Sequence, residues 1–211
     1  MNSSIIYKGM SKVYDLLDII YFKNNNRNPR NTLLDFINKQ DTKILDICTG
    51  TAANAIAIAK RRKDAKIVGI DISQEMLQIA KKKLNKRNLN NIELLKMDAS
   101  VTTFADNTFD VVIISLVLHE IPQDLARRIL LETKRILKPE GKLLVMEWEE
   151  PQSLLKKLLF FPIRKLEPKG FDRFLQCDLK SYFEKFDFEI SKIKHCDFTK
   201  VLYIKNAAMN K

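Results

Sequence analysis

The chain has 211 residues, 45% of them hydrophobic and 30% charged, which suits one α/β domain with a sizeable core and is short for two. Its net charge of +11 rests on 27 Lys and 10 Arg, and the densest basic runs, 60–63 and 81–87, fall in the last turns of two expected helices, where cations meet the negative end of the helix dipole. Bidentate recognition of phosphate or guanine favours Arg, so this charge reads as solvated helix ends and no nucleic-acid partner is expected.

Three cysteines at unpatterned spacings, Cys48, Cys177 and Cys196, offer neither a disulfide framework nor a zinc box, and no metal is expected. The opening residues lack a leader's apolar run and cleavage site, and no uncharged stretch nears the roughly 20 residues that span a bilayer. A cytoplasmic protein, monomeric or homodimeric, is expected.

In chain order, an amphipathic segment leads to a loop at 24–29 and a helix at 32–38. Strands are then expected at 43–48, 66–71, 92–97, 111–115 and 142–148, with helices starting at Ala53, Ser73 and Pro122 between them. Near-continuous apolar strands of this kind form parallel sheets covered on both faces. The helix from Pro122 shows one apolar face, Leu125, Ile129, Leu130, Thr133, Ile136 and Leu137, and Lys138-Pro139-Glu140-Gly141 stops it. From Gln152 to Pro168 the chain is apolar on one side and basic on the other, suited to covering a hydrophobic substrate, touching an anionic membrane or packing on the core. The tail, 186–194 and 198–205, alternates like two antiparallel strands.

Two of these strands end in acids. Ile44, Leu45 and Ile47 surround Asp46, Gly50 lets the backbone turn, and an Ala-rich run propagates a helix. The next strand, Lys66-Ile67-Val68-Gly69-Ile70-Asp71, again finishes in a carboxylate, about 25 positions after Asp46 and near the spacing of ribose-binding acids.

This pair resembles the signature of class I S-adenosylmethionine-dependent methyltransferases. Further matches are Asp71-Ile72-Ser73-Gln74-Glu75-Met76-Leu77, Lys96-Met97-Asp98-Ala99 and Leu137-Lys138-Pro139-Glu140-Gly141. Tyr14-Asp15-Leu16-Leu17-Asp18, Asn107-Thr108-Phe109-Asp110 and Glu147-Trp148-Glu149-Glu150-Pro151 resemble the ubiquinone/menaquinone-biosynthesis branch and its type-11 relatives. The resemblance implies a Rossmann-like α/β fold: a mostly parallel seven-stranded sheet with a terminal antiparallel hairpin and helices on both faces. It implies a single domain over 1–211, with a cover at 1–40, a cofactor core at 41–150, a substrate-side insertion at 151–180 and terminal strands at 181–211.

The chain also departs from the family. Three alternate glycines become Cys48, Gly50 and Ala52, which predicts a stiffer loop. A Gly-Leu-Arg-Asn element after strand four is replaced by Ser115-Leu116-Val117-Leu118-His119-Glu120-Ile121-Pro122.

Ligands of such sheets bind beyond the carboxyl ends of the strands, where Asp46, Asp71, Asp98 and Ser115 converge. Asp71 is expected to take both ribose hydroxyls, Asp98 and Ala99 the adenine, and Asp46 with Cys48, Thr49, Gly50 and Thr51 the methionine part. Ile72, Met76, Ser115 and, in a lid with Tyr7, Tyr14 complete the expected cofactor set. His119, at the pocket mouth, is the candidate general base. A nicotinamide cofactor would need Gly-x-Gly-x-x-Gly, which Cys48, Gly50 and Ala53 do not supply. The expected activity is methyl transfer from S-adenosylmethionine to a small-molecule acceptor, hydrophobic or quinone-like. The alternatives are an RNA or protein methyltransferase and a non-catalytic S-adenosylmethionine-binding protein, and peripheral membrane contact is among the expected interactions.

Overall fold

Among the described residues, Asn28 opens the first helix by accepting a hydrogen bond from the Arg30 N–H at 2.9 Å, and Pro29 takes the first helical position, where a missing N–H is harmless. Helix α1 therefore covers Pro29–Asp35, three residues ahead of the expected 32–38, because this cap outweighs the loop-like look of the Asn-rich stretch. The computed structural model describes residues 27–167 and 170–207. The expected lid residues Tyr7 and Tyr14 lie outside them.

From there strands and helices alternate: β1 Lys43–Ile47, α2 Ala53–Arg61, β2 Lys66–Asp71, α3 Gln74–Asn85, β3 Ile92–Lys96, β4 Phe109–Ser115, α4 Gln123–Ile136 and β5 Leu137–Trp148. Three more helices follow, α5 Leu154–Leu166, α6 Phe171–Leu175 and α7 Leu179–Glu184, and the described residues close with β6 Phe188–His195 and β7 Thr199–Asn206. One sheet runs β3-β2-β1-β4-β5-β7-β6. Its first five strands are parallel, and β7 pairs antiparallel with both β5 and β6. This is the Rossmann-like architecture expected of the sequence.

Side-chain alternation sorts the core into two layers. Leu45 and Ile47 pack with Val112, Ile114 and the Ile129–Leu130 pair of α4 on one face. Ile44 packs with Val111, Ile113 and the small or aliphatic Ala55, Ile58 and Ala80 on the other. Asp46 shares the parity of Ile44 and so belongs to the face carrying α2 and α3.

Strand β5 begins earlier than the expected residue 142. Leu137 pairs with Phe109, the chain bulges, and Lys142 then resumes pairing with Val111. Gly141 makes that bulge possible, because a Cβ there would stand 2.8 Å from Leu137 Cδ1 and 2.9 Å from the Lys138 carbonyl oxygen. A buried ion pair, Lys142 Nζ to Asp41 Oδ2 at 2.7 Å, fixes the segment entering β1 to the start of this run.

Candidate functional site

The order of strands reverses direction between β1 and β4, the place where open α/β sheets bind ligands. The β1–α2 loop passes over this point in a demanding conformation. Cys48, Gly50 and Ala52 have φ of +52°, +54° and +62°, the left-handed region that glycine enters freely and other residues at a cost of about 1–2 kcal/mol each. The loop thus keeps a three-glycine shape with one glycine. A Cβ built on Gly50 would meet nothing within 4 Å.

Hydrogen bonds hold that shape. Gly50 N–H donates to Asp71 Oδ2 at 2.8 Å, and Ser73 N–H donates to Asp71 Oδ1 at 2.8 Å, so one carboxylate ties the loop to the start of α3. The Ser73 hydroxyl caps α3 by accepting from Met76 N–H at 3.2 Å, and Lys83 Nζ donates to Thr51 Oγ1 at 2.9 Å. Each Asp71 oxygen retains lone-pair capacity beyond its backbone bond. Ile72, beside it, is 69% exposed, whereas Met76 is buried.

Asp46 lies beneath the loop, buried, with the Thr49 hydroxyl donating to its Oδ2 at 2.5 Å. Burial pushes its pKa up to about 6, moderated by Thr49 and by the nearby Ala55 N–H and Asn54 side chain. Its Oδ1 nevertheless has no partner in hydrogen-bonding geometry among the described residues. A buried carboxylate oxygen without a donor is a site where a cation or N–H of a ligand would be stabilised. The Cys48 thiol is raised to about 12 by burial and then by the carboxylates around it, Asp71, Asp46, Glu120 and Asp98. It stays a neutral thiol, and that set of neighbours marks how far the strand-end acids converge.

Asp98 follows β3 and is exposed. Its Oδ1 accepts from both the N–H and the hydroxyl of Ser100, each at 2.8 Å, and the backbone bond first, then the hydroxyl, lowers its pKa. Ala99 next to it is buried. Ser115 ends β4 half-buried, and Leu116 beyond it turns through a φ of +55°.

His119 is placed differently from the expectation. It is buried, with Nδ1 2.6 Å from Glu147 Oε2 and Nε2 3.2 Å from Glu167 Oε2. Burial alone would lower its pKa, but the Glu147 charge and hydrogen bond, then Glu167, raise it to about 10. Both ring nitrogens are engaged by carboxylates in this arrangement. Glu147 also accepts from Val117 N–H at 3.1 Å and Leu118 N–H at 2.8 Å, while Trp148 Nε1–H donates to Glu167 Oε1 at 3.1 Å. Nε2, Glu120 and Glu167 place their ligand-type atoms within 4.8 Å of one another, and the imidazolium supplies the positive charge that such a cluster needs.

Glu147 and Glu167 were not singled out from the sequence. The available signal was Glu147 itself: a carboxylate within the apolar run Leu143 to Trp148 must find a partner when buried. A cavity of about 460 Å³ lined by Lys43, Lys66, Asn91 and Phe109 lies at the opposite, amino-terminal edge of the sheet and has no part in this site.

Comparison with known proteins identifies the family and the fold. Residues 3–183 match the model of the ubiE/COQ5 methyltransferase family. Demethylmenaquinone methyltransferases of Bacillus cereus (strain ATCC 10987 / NRS 248) and Bacillus anthracis (strain A0248) are each 34% identical over 151 residues, 71% of this chain and 63% of theirs. The match therefore spans less than two thirds of the length of those relatives. Among solved structures, a SAM-dependent methyltransferase from Aquifex aeolicus superposes with a TM-score of 0.73 at 21% identity, covering 94% of this chain and 97% of that one. Magnesium protoporphyrin IX methyltransferase from Synechocystis, solved with bound SAH, gives a TM-score of 0.63 at 16% identity over 85% and 82%. Both likenesses concern the fold.

Proposed function

Because the chain belongs to the ubiE/COQ5 methyltransferase family, we propose that it transfers the methyl group of S-adenosylmethionine to a small hydrophobic, quinone-like acceptor. The loop 48–52 carries this reading, with three alternate residues at positive φ, two of them not glycine, set between Asp46 and Asp71. Strain of that kind persists where a site needs the shape. The names of the Bacillus relatives support the class of acceptor.

The residues fit the cofactor. Asp71 takes the ribose hydroxyls with the lone pairs that Gly50 and Ser73 leave, and Asp98 and Ala99 take the adenine edge, bordered by Ile72 and Met76. Cys48, Thr49, Gly50 and Thr51 surround the methionine part, and the unpartnered Asp46 Oδ1 receives its ammonium. When bound, S-adenosylmethionine supplies an electrophilic methyl on a sulfonium. The chain's own work is alignment and exclusion of water, which together supply roughly 7–11 kcal/mol in well-oriented reactions.

Ser115 completes the cofactor side, and His119 marks the acceptor side. The His119 ring is held between Glu147 and Glu167 and orders that side of the pocket. It becomes a proton acceptor only when Glu167 and Glu120 release Nε2. Helices α5 and α6 border the acceptor side. The protein acts in the cytoplasm as a monomer or homodimer, with peripheral membrane contact.

The test is incubation with methyl-labelled S-adenosylmethionine and a panel of reduced benzoquinones and naphthoquinones, with RNA and protein fractions in parallel. Label in a quinol product is expected. Label only in RNA or protein would overturn the acceptor class.

A further inference from the structure

Helix α5 is apolar on the side that faces away from the protein. Phe160 and Ile163 are buried against Trp148 and Phe171, which accounts for one face. Yet Leu154, Leu155, Leu158 and Leu166 are each at least 69% exposed and Phe161 is 54% exposed. At 3.6 residues per turn these five side chains share an arc of about 140° turned away from Phe160 and Ile163. Single exposed apolar residues are ordinary on protein surfaces, but a contiguous row of large ones marks an interaction face.

The charges around the arc indicate what covers it. Lys165 lies inside it, its Nζ 5.5 Å from the centroid of the Phe161 ring, and Lys157 and Arg164 border it. Lys157 and Arg164 approach Glu150 at 3.7 and 3.6 Å, and Arg164 pairs with Asp172 at 2.7 Å. These are exposed pairs, which exchange readily for other anions. A second copy of this chain would bury Lys165 among leucines, whereas a lipid surface lets its stem lie on hydrocarbon and its ammonium reach a headgroup phosphate. The chain's +11 charge favours an anionic surface further. At 13 residues, α5 is too short to cross a bilayer.

We propose that the outer face of α5 docks the protein on an anionic lipid bilayer, with the helix lying in the plane of the interface. Glu167, the residue after the helix, bonds both His119 and Trp148, so a docked α5 holds the acceptor side of the site against the lipid phase. This consequence rests on the hydrophobic acceptor proposed above, whereas the docking rests on α5 alone.

Flotation with vesicles tests it, using an equal mixture of phosphatidylcholine and phosphatidylglycerol against phosphatidylcholine alone, at low and high salt. The full chain is expected to float with the anionic vesicles, less with neutral ones and less at high salt. The double variant Leu155→Glu/Leu158→Glu should lose at least tenfold in partitioning while keeping wild-type affinity for S-adenosylhomocysteine, and Lys165→Glu should fall between. Absence of vesicle binding by folded wild type would overturn the proposal, as would self-association without lipid that the same double variant abolishes. Loss of cofactor binding in wild type would instead overturn the methyltransferase reading and leave the vesicle result standing.

Discussion

Asp46→Asn separates what the buried acid does for stability from what it does for a ligand. Its carboxyl titrates at about 6 in the folded protein against 3.8 unperturbed, so the folded state holds the proton more tightly than the unfolded chain. Below pH 3.8 the group is neutral in both states and exerts no penalty. As pH rises the unfolded chain ionises first, and the cost of ionising Asp46 in the fold grows until pH passes 6. Linkage places that cost at about 1–2 kcal/mol at pH 5 and about 3 kcal/mol at pH 8. Asn removes it at every pH and adds a roughly constant term for its buried amide. That constant cancels when the variant and wild type are compared at two pH values. Urea unfolding of both proteins should therefore show Asp46→Asn gaining about 1–2 kcal/mol relative to wild type between pH 5 and pH 8. In thermal scans this is a relative gain of about 3–6 °C, at roughly 2–4 °C per kcal/mol for a chain of this size. The same variant should bind S-adenosylmethionine at least tenfold more weakly at pH 8, and wild-type affinity should fall as pH drops through 6. A stability difference that does not change between pH 5 and pH 8 would refute the reading of Asp46 as a buried carboxyl with a raised pKa.

Gly50→Ala places a methyl in open space at a φ of +54°, so unfolding should detect a loss of only about 1 kcal/mol. Cofactor titration should detect a far larger loss, because the space serves the ligand; equal, small effects on both would contradict that. Stability from the His119 pairs is fully present below pH 6.5 and is lost as pH rises through about 10. His119→Ala should cost about 3–5 kcal/mol at pH 7 by stranding buried Glu147, and its unfolding curves should lack the alkaline decline that wild type shows relative to it. Gly141→Ala drives a methyl against Leu137 and the Lys138 carbonyl and should cost about 1–3 kcal/mol in urea unfolding while leaving cofactor affinity within about twofold.

The sheet was legible because its strands are apolar runs of the right length, and two of them, one carrying Asp46 near its end and one ending in Asp71, stand next to a turn residue. The loop between them was legible in position but not in shape. Cys48 and Ala52 read as residues that avoid positive φ, and only the bonds from Asp71, Lys83 and the turn itself reveal what holds them there. His119 was read from its place after β4. Its state depends on Glu147, 28 residues later, and Glu167, 48 residues later, and no local pattern encodes such a pairing. The stretch 152–168 looked like an ordinary amphipathic helix. Which apolar residues turn inward depends on the Phe171 and Trp148 surface that receives Phe160, and that is a tertiary matter.

The central claim, that loop 48–52 with Asp46 and Asp71 forms a cofactor site, is tested most directly by calorimetric titration with S-adenosylhomocysteine at pH 8, comparing wild type with Asp71→Ala. The account predicts saturable micromolar binding by wild type and none by the variant, with both proteins folded by circular dichroism. Folded wild-type protein that takes up no S-adenosylhomocysteine, or a variant that binds it unchanged, would contradict it.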